Sequence, residues 1–159
     1  MALEVKVKSN VKNLQARYIK LAHKLPRLIT MGLEQSGQFL KTAILDRTDR
    51  GLDMNRRKFI GYSDAYKELK GKTRVDLQDT NDMLNSIDSR VVSKNKVQVY
   101  FRSGREAMKA FWHQTGAGNL PVRKFFGYDK ALENVIQRQF HNYVKKEIRR
   151  LGLWVLEKT

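Results

Sequence analysis

The sequence predicts an α+β domain: a long N-terminal helix or helix pair and a long C-terminal helix, packed on a small antiparallel β-sheet. Three observations predict it. Apolar residues recur at helical spacing from Val11 to Ile44 and again from Leu132 to Leu151. Between these stretches, two β-prone runs flank a short polar spacer. With 159 residues the chain has room for one domain that buries about 68–70% of its unfolded surface. It shows no internal repeat, low-complexity tract or dividing linker, so residues 1–159 are read as a single unit.

Residues 3–7 alternate Leu3, Val5 and Val7 with Glu4 and Lys6, the period of a half-buried strand. Ser9 and Asn10 then offer capping oxygens. A helical stripe follows through Val11, Leu14, Tyr18, Leu21 and Leu25, and continues through Leu28, Leu33, Ser36, Leu40 and Ile44. Pro26 interrupts it, because proline lacks an amide donor and crowds the preceding turn. Two helices meeting near Leu25 and one long kinked helix both satisfy the pattern. Asp49-Arg50-Gly51 ends it.

Residues 48–62 read as an exposed loop, basic around Asn55-Arg56-Arg57-Lys58. Ser63 caps a short helix bearing Ala65, Tyr66 and Leu69, which Gly71 closes. Another short turn starts near Thr80, with Asp82 where the helix dipole favours a carboxylate. Ser86–Val92 and Lys96–Arg102 form a hairpin around Ser93-Lys94-Asn95, with Val97, Val99 and Phe101 on one face. Gly104–Gln114 is a further helix, ended by Gly116-Ala117-Gly118-Asn119. Pro121–Tyr128 is extended. Asp129 caps the last helix and Gly152 stands at its C′ position. Leu153–Leu156 is read as a final strand, so residues 1–8 and 153–159 are candidate terminal strands.

Composition narrows the function classes. The chain is 41% hydrophobic and 30% charged, as soluble globular proteins are. It has no cysteine, which removes disulfides, thiol nucleophiles and Cys-based metal sites. No apolar run approaches the roughly 20 residues a membrane span needs, and Glu4 sits where a signal peptide would be basic. A soluble, non-exported protein without membrane contact is expected. The net charge is +16, with a pI near 10.2. A balance this basic either meets nucleic acid or an acidic surface, or merely keeps the protein solvated. Its clusters are short: Arg56-Arg57-Lys58, Lys145-Lys146 and Arg149-Arg150.

The chemistry-bearing patterns are weak. Gly71-Lys72-Thr73 ends like a phosphate-binding loop, but Tyr66 occupies the position of the required first glycine. His23, His113 and His141 form no ligand pair, and His141 reads as a solvated surface residue. Asp76, Asp79 and Asp82 recur every third residue, where a calcium loop spaces its ligands by two. No Gly-x-Ser-x-Gly elbow occurs. No enzymatic activity, cofactor or metal site is expected.

Two segments go further than composition. The first is Phe59-Ile60-Gly61-Tyr62-Ser63-Asp64-Ala65-Tyr66, then Lys70-Gly71-Lys72, Asp76-Leu77 and Thr80 to Ile87. The second runs from Ala107 through His113-Gln114-Thr115-Gly116 to Leu120-Pro121-Val122-Arg123-Lys124-Phe125-Phe126-Gly127. In this order they resemble the virion-morphogenesis, or tail-completion, family of tailed bacteriophages. That family shows an aromatic-tyrosine segment, a Leu-x-x-Thr-Gly-x-Leu-x-x-Ser-Ile stretch, a hairpin, a His-x-x-Gly and a Pro-x-Arg-x-Phe-Gly. The likeness covers roughly residues 55–150. The sequence departs from the pattern at Asn81, in place of glycine; in one extra residue between Thr80 and Leu84; and at Lys124, where proline or an acid is common.

The resemblance implies a structural virion protein of the neck or the head-proximal end of the tail, made in the host cytoplasm. It would join head to tail as a homo-oligomeric ring, often sixfold, against portal-adaptor, neck or tail-tube proteins, with non-specific contact to DNA in the channel. A tail terminator and a sequence-independent basic nucleic-acid-binding module are the alternatives. A conduit needs DNA to slide, so protein partners suit most of the charge. Candidate subunit or partner contacts are Arg56, Arg57 and Lys58 in the loop, Arg123, Phe125 and Phe126 in the extended segment, and Leu3, Val5 and Trp154 in the terminal strands. The same residues also have a fold-maintaining reading: Leu77, Leu84 and Ile87 as core beneath the hairpin, Phe125 and Phe126 as anchors, and Arg123 free to pair with a carboxylate.

Overall fold

The computed structural model describes residues 11–71 and 73–152. The candidate strands around Leu3, Val5 and Trp154 lie outside them. The architecture is α+β: a long N-terminal helix and a C-terminal helix flank a two-stranded antiparallel sheet.

Helix α1 spans Val11–Asp49, 39 residues in one run, which makes it about 58 Å long. Pro26 lies inside it, so the single-helix alternative is the one realised. Thr30 Oγ1 donates to the Pro26 carbonyl at 3.1 Å, one turn on. The proline sits where the helix is still open to solvent, and the ladder it disrupts can be completed by water. The loop begins later than the sequence suggests. Arg47 and Thr48 are helical and buried, and Thr48 donates back to the Ile44 carbonyl at 2.7 Å. Nor is the loop exposed throughout: Phe59 is buried in the core, while Arg56, Arg57 and Lys58 face solvent.

Helix α2, Asp64–Lys70, is capped by Ser63 and closed by Gly71 in the left-handed conformation. One turn, α3, covers Asp82–Asn85 behind Asn81, whose φ is 66°. Asparagine tolerates that conformation better than most residues, so the turn forms without a glycine there.

Strands β1 (Ile87–Ser93) and β2 (Lys96–Phe101) pair Ile87 with Phe101, Ser89 with Val99 and Val91 with Val97. These pairs share the face that meets α1. A two-stranded hairpin is marginal alone; here α1 supplies the surface that covers it. Gly37 permits the approach, since a Cβ there would lie 2.6 Å from Val97 Cγ2 and 3.0 Å from Ser89 Cβ. Gln38 adds a hydrogen bond to Ser89 Oγ at 3.0 Å.

Helix α4 is Gly104–Thr115, followed by a 3₁₀ turn at Ala117–Asn119. Helix α5, Lys130–Arg150, starts where Asp129 Oδ1 accepts from the Leu132 amide at 2.7 Å. Gly152 follows its end with a φ of 66°. α5 packs on α1, with Phe140 and Tyr143 against Gly32. The core gathers Ile44, Phe59, Leu77, Leu84, Ile87 and Phe125. Leu77, Leu84 and Ile87 therefore take the core positions expected of them.

Candidate assembly surface

The segment 120–129 has no helix or strand, so its backbone polar groups need partners from elsewhere. Two buried arginines fasten it, one reaching in from α1 and one reaching out of the segment itself. Arg47 of α1 donates to the carbonyls of Phe125 (2.6 Å) and Gly127 (2.8 Å). Arg123 donates from Nε to the Ile60 carbonyl (3.1 Å) and from Nη2 to that of Gly61 (3.2 Å). Its guanidinium lies 5.2 Å from the centre of the Tyr62 ring. Burial pushes the pKa of both arginines down, yet guanidinium is too basic to lose its proton. Gln114 completes the clamp, donating to the Phe126 carbonyl (2.7 Å) and accepting from its amide (3.2 Å).

This geometry corrects two expectations. Arg123 is not free to meet a carboxylate; it is 3% exposed and spent on backbone carbonyls. Phe125 is 0% exposed and stacks edge-on to Phe101 with ring centres 6.4 Å apart. Neither presents a side chain to a partner. Phe126 is half-buried, 4.7 Å from the Phe101 ring. All three maintain the fold. Among the remaining candidates, Arg56 lies 3.6 Å from Asp129, while Arg57 and Lys58 are exposed. Leu3, Val5 and Trp154 belong to the undescribed ends.

Beside the clamp runs a cleft of about 530 Å³, lined by Tyr62, Tyr66, Lys70, His113, Pro121 and Arg123 among others. His113 is half-buried and its Nδ1 has no hydrogen-bond partner. Burial, aided by the charge of Arg123, lowers its pKa, so the ring is neutral near pH 7. Lys70 bridges to Asp76 at 2.9 Å and to the Tyr62 hydroxyl at 3.0 Å. Ser63 Oγ is used as the cap of α2. Among the described residues no hydrogen bond joins a nucleophile to His113, and no group of three His, Cys, Asp or Glu could hold a metal.

The surface that the sequence reading overlooked is on α4. Its inner face carries Glu106 and Ala110, at 7 and 2% exposure, with Ala107, His113 and Gln114 half-buried beside them. Its large apolar residues point outward instead, with Met108, Phe111 and Trp112 at 52, 54 and 46% exposure. These three positions follow the i, i+3, i+4 spacing of one helix face. The segment after Gly116 extends the patch, with Leu120 and Val122 also exposed. Gly116 allows the chain to turn there: its φ is 77°, and a Cβ would sit 2.8 Å from Val122 Cγ2. Elsewhere Ile60, Tyr66 and Leu69 expose a second set of apolar side chains. The signal available in the sequence was that Arg105 and Thr115, three residues from Met108 and Trp112, share their face.

Neither a family model, nor a curated protein, nor a solved structure matches the chain. No helix among the described residues is long and apolar enough to cross a membrane.

Proposed function

We propose that this protein is a structural component of a tailed-phage particle. It joins a ring in the neck or at the head-proximal end of the tail and connects head to tail. The observation that carries the reading is the outward face of α4. Met108, Phe111 and Trp112 lie about half exposed on one face of the helix, and large contiguous apolar patches on a soluble protein mark sites of contact. A head-to-tail ring needs two different complementary patches on each copy. The α4 face is one, and the Ile60, Tyr66 and Leu69 surface is the other.

The sequence resemblance adds support, because its two segments are interlocked. Arg123 of the second grips Ile60 and Gly61 of the first. The motifs therefore belong to one folded unit. Assembly by shape and surface requires no bond to be made or broken.

Native mass spectrometry of the purified protein, with immunogold labelling of mature particles, tests the proposal. A ring species, or a monomer that becomes ring-shaped only on particles, with label between head and tail, is the expected result. Purified virions without the protein would exclude it. In a knockout, normal headless tails fit a completion role, whereas overlong tails would assign it to terminating tube growth.

A further inference from the structure

The positive charge is not spread evenly over the helices. Between Val11 and Leu33, α1 carries Lys12, Arg17, Lys20, Lys24 and Arg27 and no acid; Glu34 is its first carboxylate. At about 100° per residue, Arg17, Lys20, Lys24 and Arg27 fall within about 80° of one another around the axis. They form one stripe about 15 Å long. All four are exposed, and among the described residues none has a carboxylate partner. The end of α5 adds to them. Lys24 and Arg27 share a cleft of about 290 Å³ with Glu147 and Arg150, and Arg150 occupies that carboxylate at 2.9 Å.

Neighbouring like charges three and four residues apart on a helix repel each other. The free protein bears that repulsion along the whole stripe, and a polyanion would relieve it. We infer that Arg17, Lys20, Lys24 and Arg27 form a binding surface for the phosphate backbone of nucleic acid, independent of base sequence. The composition of the face selects this partner over an acidic protein. Protein–protein interface cores are depleted in lysine and centred on apolar or aromatic residues. Faces that meet nucleic acid are more polar and far more positive. The stripe has no apolar centre; the exposed Val11, Tyr18 and Ile19 lie around the helix from it. The surface requires no particle and no ring, so it stands or falls separately from the assembly role.

Fluorescence anisotropy with a random-sequence duplex of about 20 base pairs, from 50 to 200 mM salt, tests it. Four neutralised phosphates give a log–log salt slope of about −3.6, hence a weakening on the order of 100-fold across that range. Replacing Arg17, Lys20, Lys24 and Arg27 together by glutamine should abolish most of the affinity and flatten the slope. An equal change of charge at the exposed Lys94, Lys96, Lys124 and Arg138 should leave the affinity within about threefold and the slope little changed. Each single replacement, such as Lys20→Gln, should reduce the slope by about 0.9, which guards against a quadruple variant that misfolds. Failure to bind duplex at 50 mM salt would overturn the inference. So would equal losses in the two quadruple variants, or binding to poly-glutamate as tight as to the duplex.

Discussion

Arg123 places a full positive charge inside the protein without a carboxylate partner, holding it by two carbonyls and a tyrosine face. Such a group is valuable to the fold because its removal leaves those carbonyls unsatisfied. Arg123→Met keeps the length of the side chain and removes the donors. It should destabilise the protein by about 3 kcal/mol, read as a lower urea midpoint with an unchanged slope. His113 supplies a pH-dependent contribution. Its folded pKa lies below the ordinary value of about 6.5, through burial first and the charge of Arg123 second. Between the two values the unfolded chain binds the extra proton, so stability is complete above about pH 6.5 and falls on acidification. Unfolding curves at pH 5 and pH 7.5 should differ more in the native protein than in His113→Gln; equal differences would remove His113 as the cause. Much of this was readable as chemistry but not as place. Leu77, Leu84 and Ile87 declared themselves core by residue type alone. Arg123 could not, since nothing in its neighbourhood in sequence announces that Ile60 and Gly61 will offer their carbonyls.

At the scale of elements, the junction between α1 and the hairpin depends on one missing methyl group. On an open helix, Gly→Ala would stabilise by about 1 kcal/mol. At Gly37 the new Cβ would press on Val97 and Ser89, and neither a branched side chain nor a neighbouring strand yields easily. Gly37→Ala should therefore destabilise by about 1–3 kcal/mol, measured by denaturant unfolding; a gain in stability would mean the hairpin moves freely. Helix α4 gives the opposite case. Phe111→Ser combined with Trp112→Ser removes the covered half of each side chain and should lower the unfolding free energy by about 2 kcal/mol per site while leaving the protein folded. The same pair should disperse the ring in native mass spectra, and an intact ring would exclude this face from the contact. Helices α1, α2 and α5 and the hairpin were legible because their periodicity and caps are local: Ser63, Gly71 and Asp129 act within one turn of where they stand. The α4 surface was missed because an aromatic pair on a helix is ordinarily taken as inward. Only the polar neighbours on the same face, Arg105 and Thr115, showed otherwise.

For the molecule as a whole, the net charge of +16 acts against compactness. Self-repulsion of this kind is screened by salt. Raising sodium chloride from about 20 to 200 mM shortens the screening length from roughly 20 to 7 Å and should raise the melting temperature by about 2–4 °C. A melting temperature that is flat or falls over this range would show that the charges are already offset within the fold. α+β architecture was predictable because two long stripes and one hairpin admit few packings; how the linking segments 50–62 and 120–129 lock together was not, because two buried arginines decide it.

The reach of α1 has one more consequence. The hairpin, the core and α5 together hold the helix from about Lys24 onward, leaving the first turns to project past them. From Lys24 back to Val11 is about 20 Å of helix. A tilt of about 5° where α5 ends would carry the outer end through about 2 Å on that length. The first turns therefore form a short lever, and Arg17 and Lys20 ride on it while the packed part of the helix stays in place.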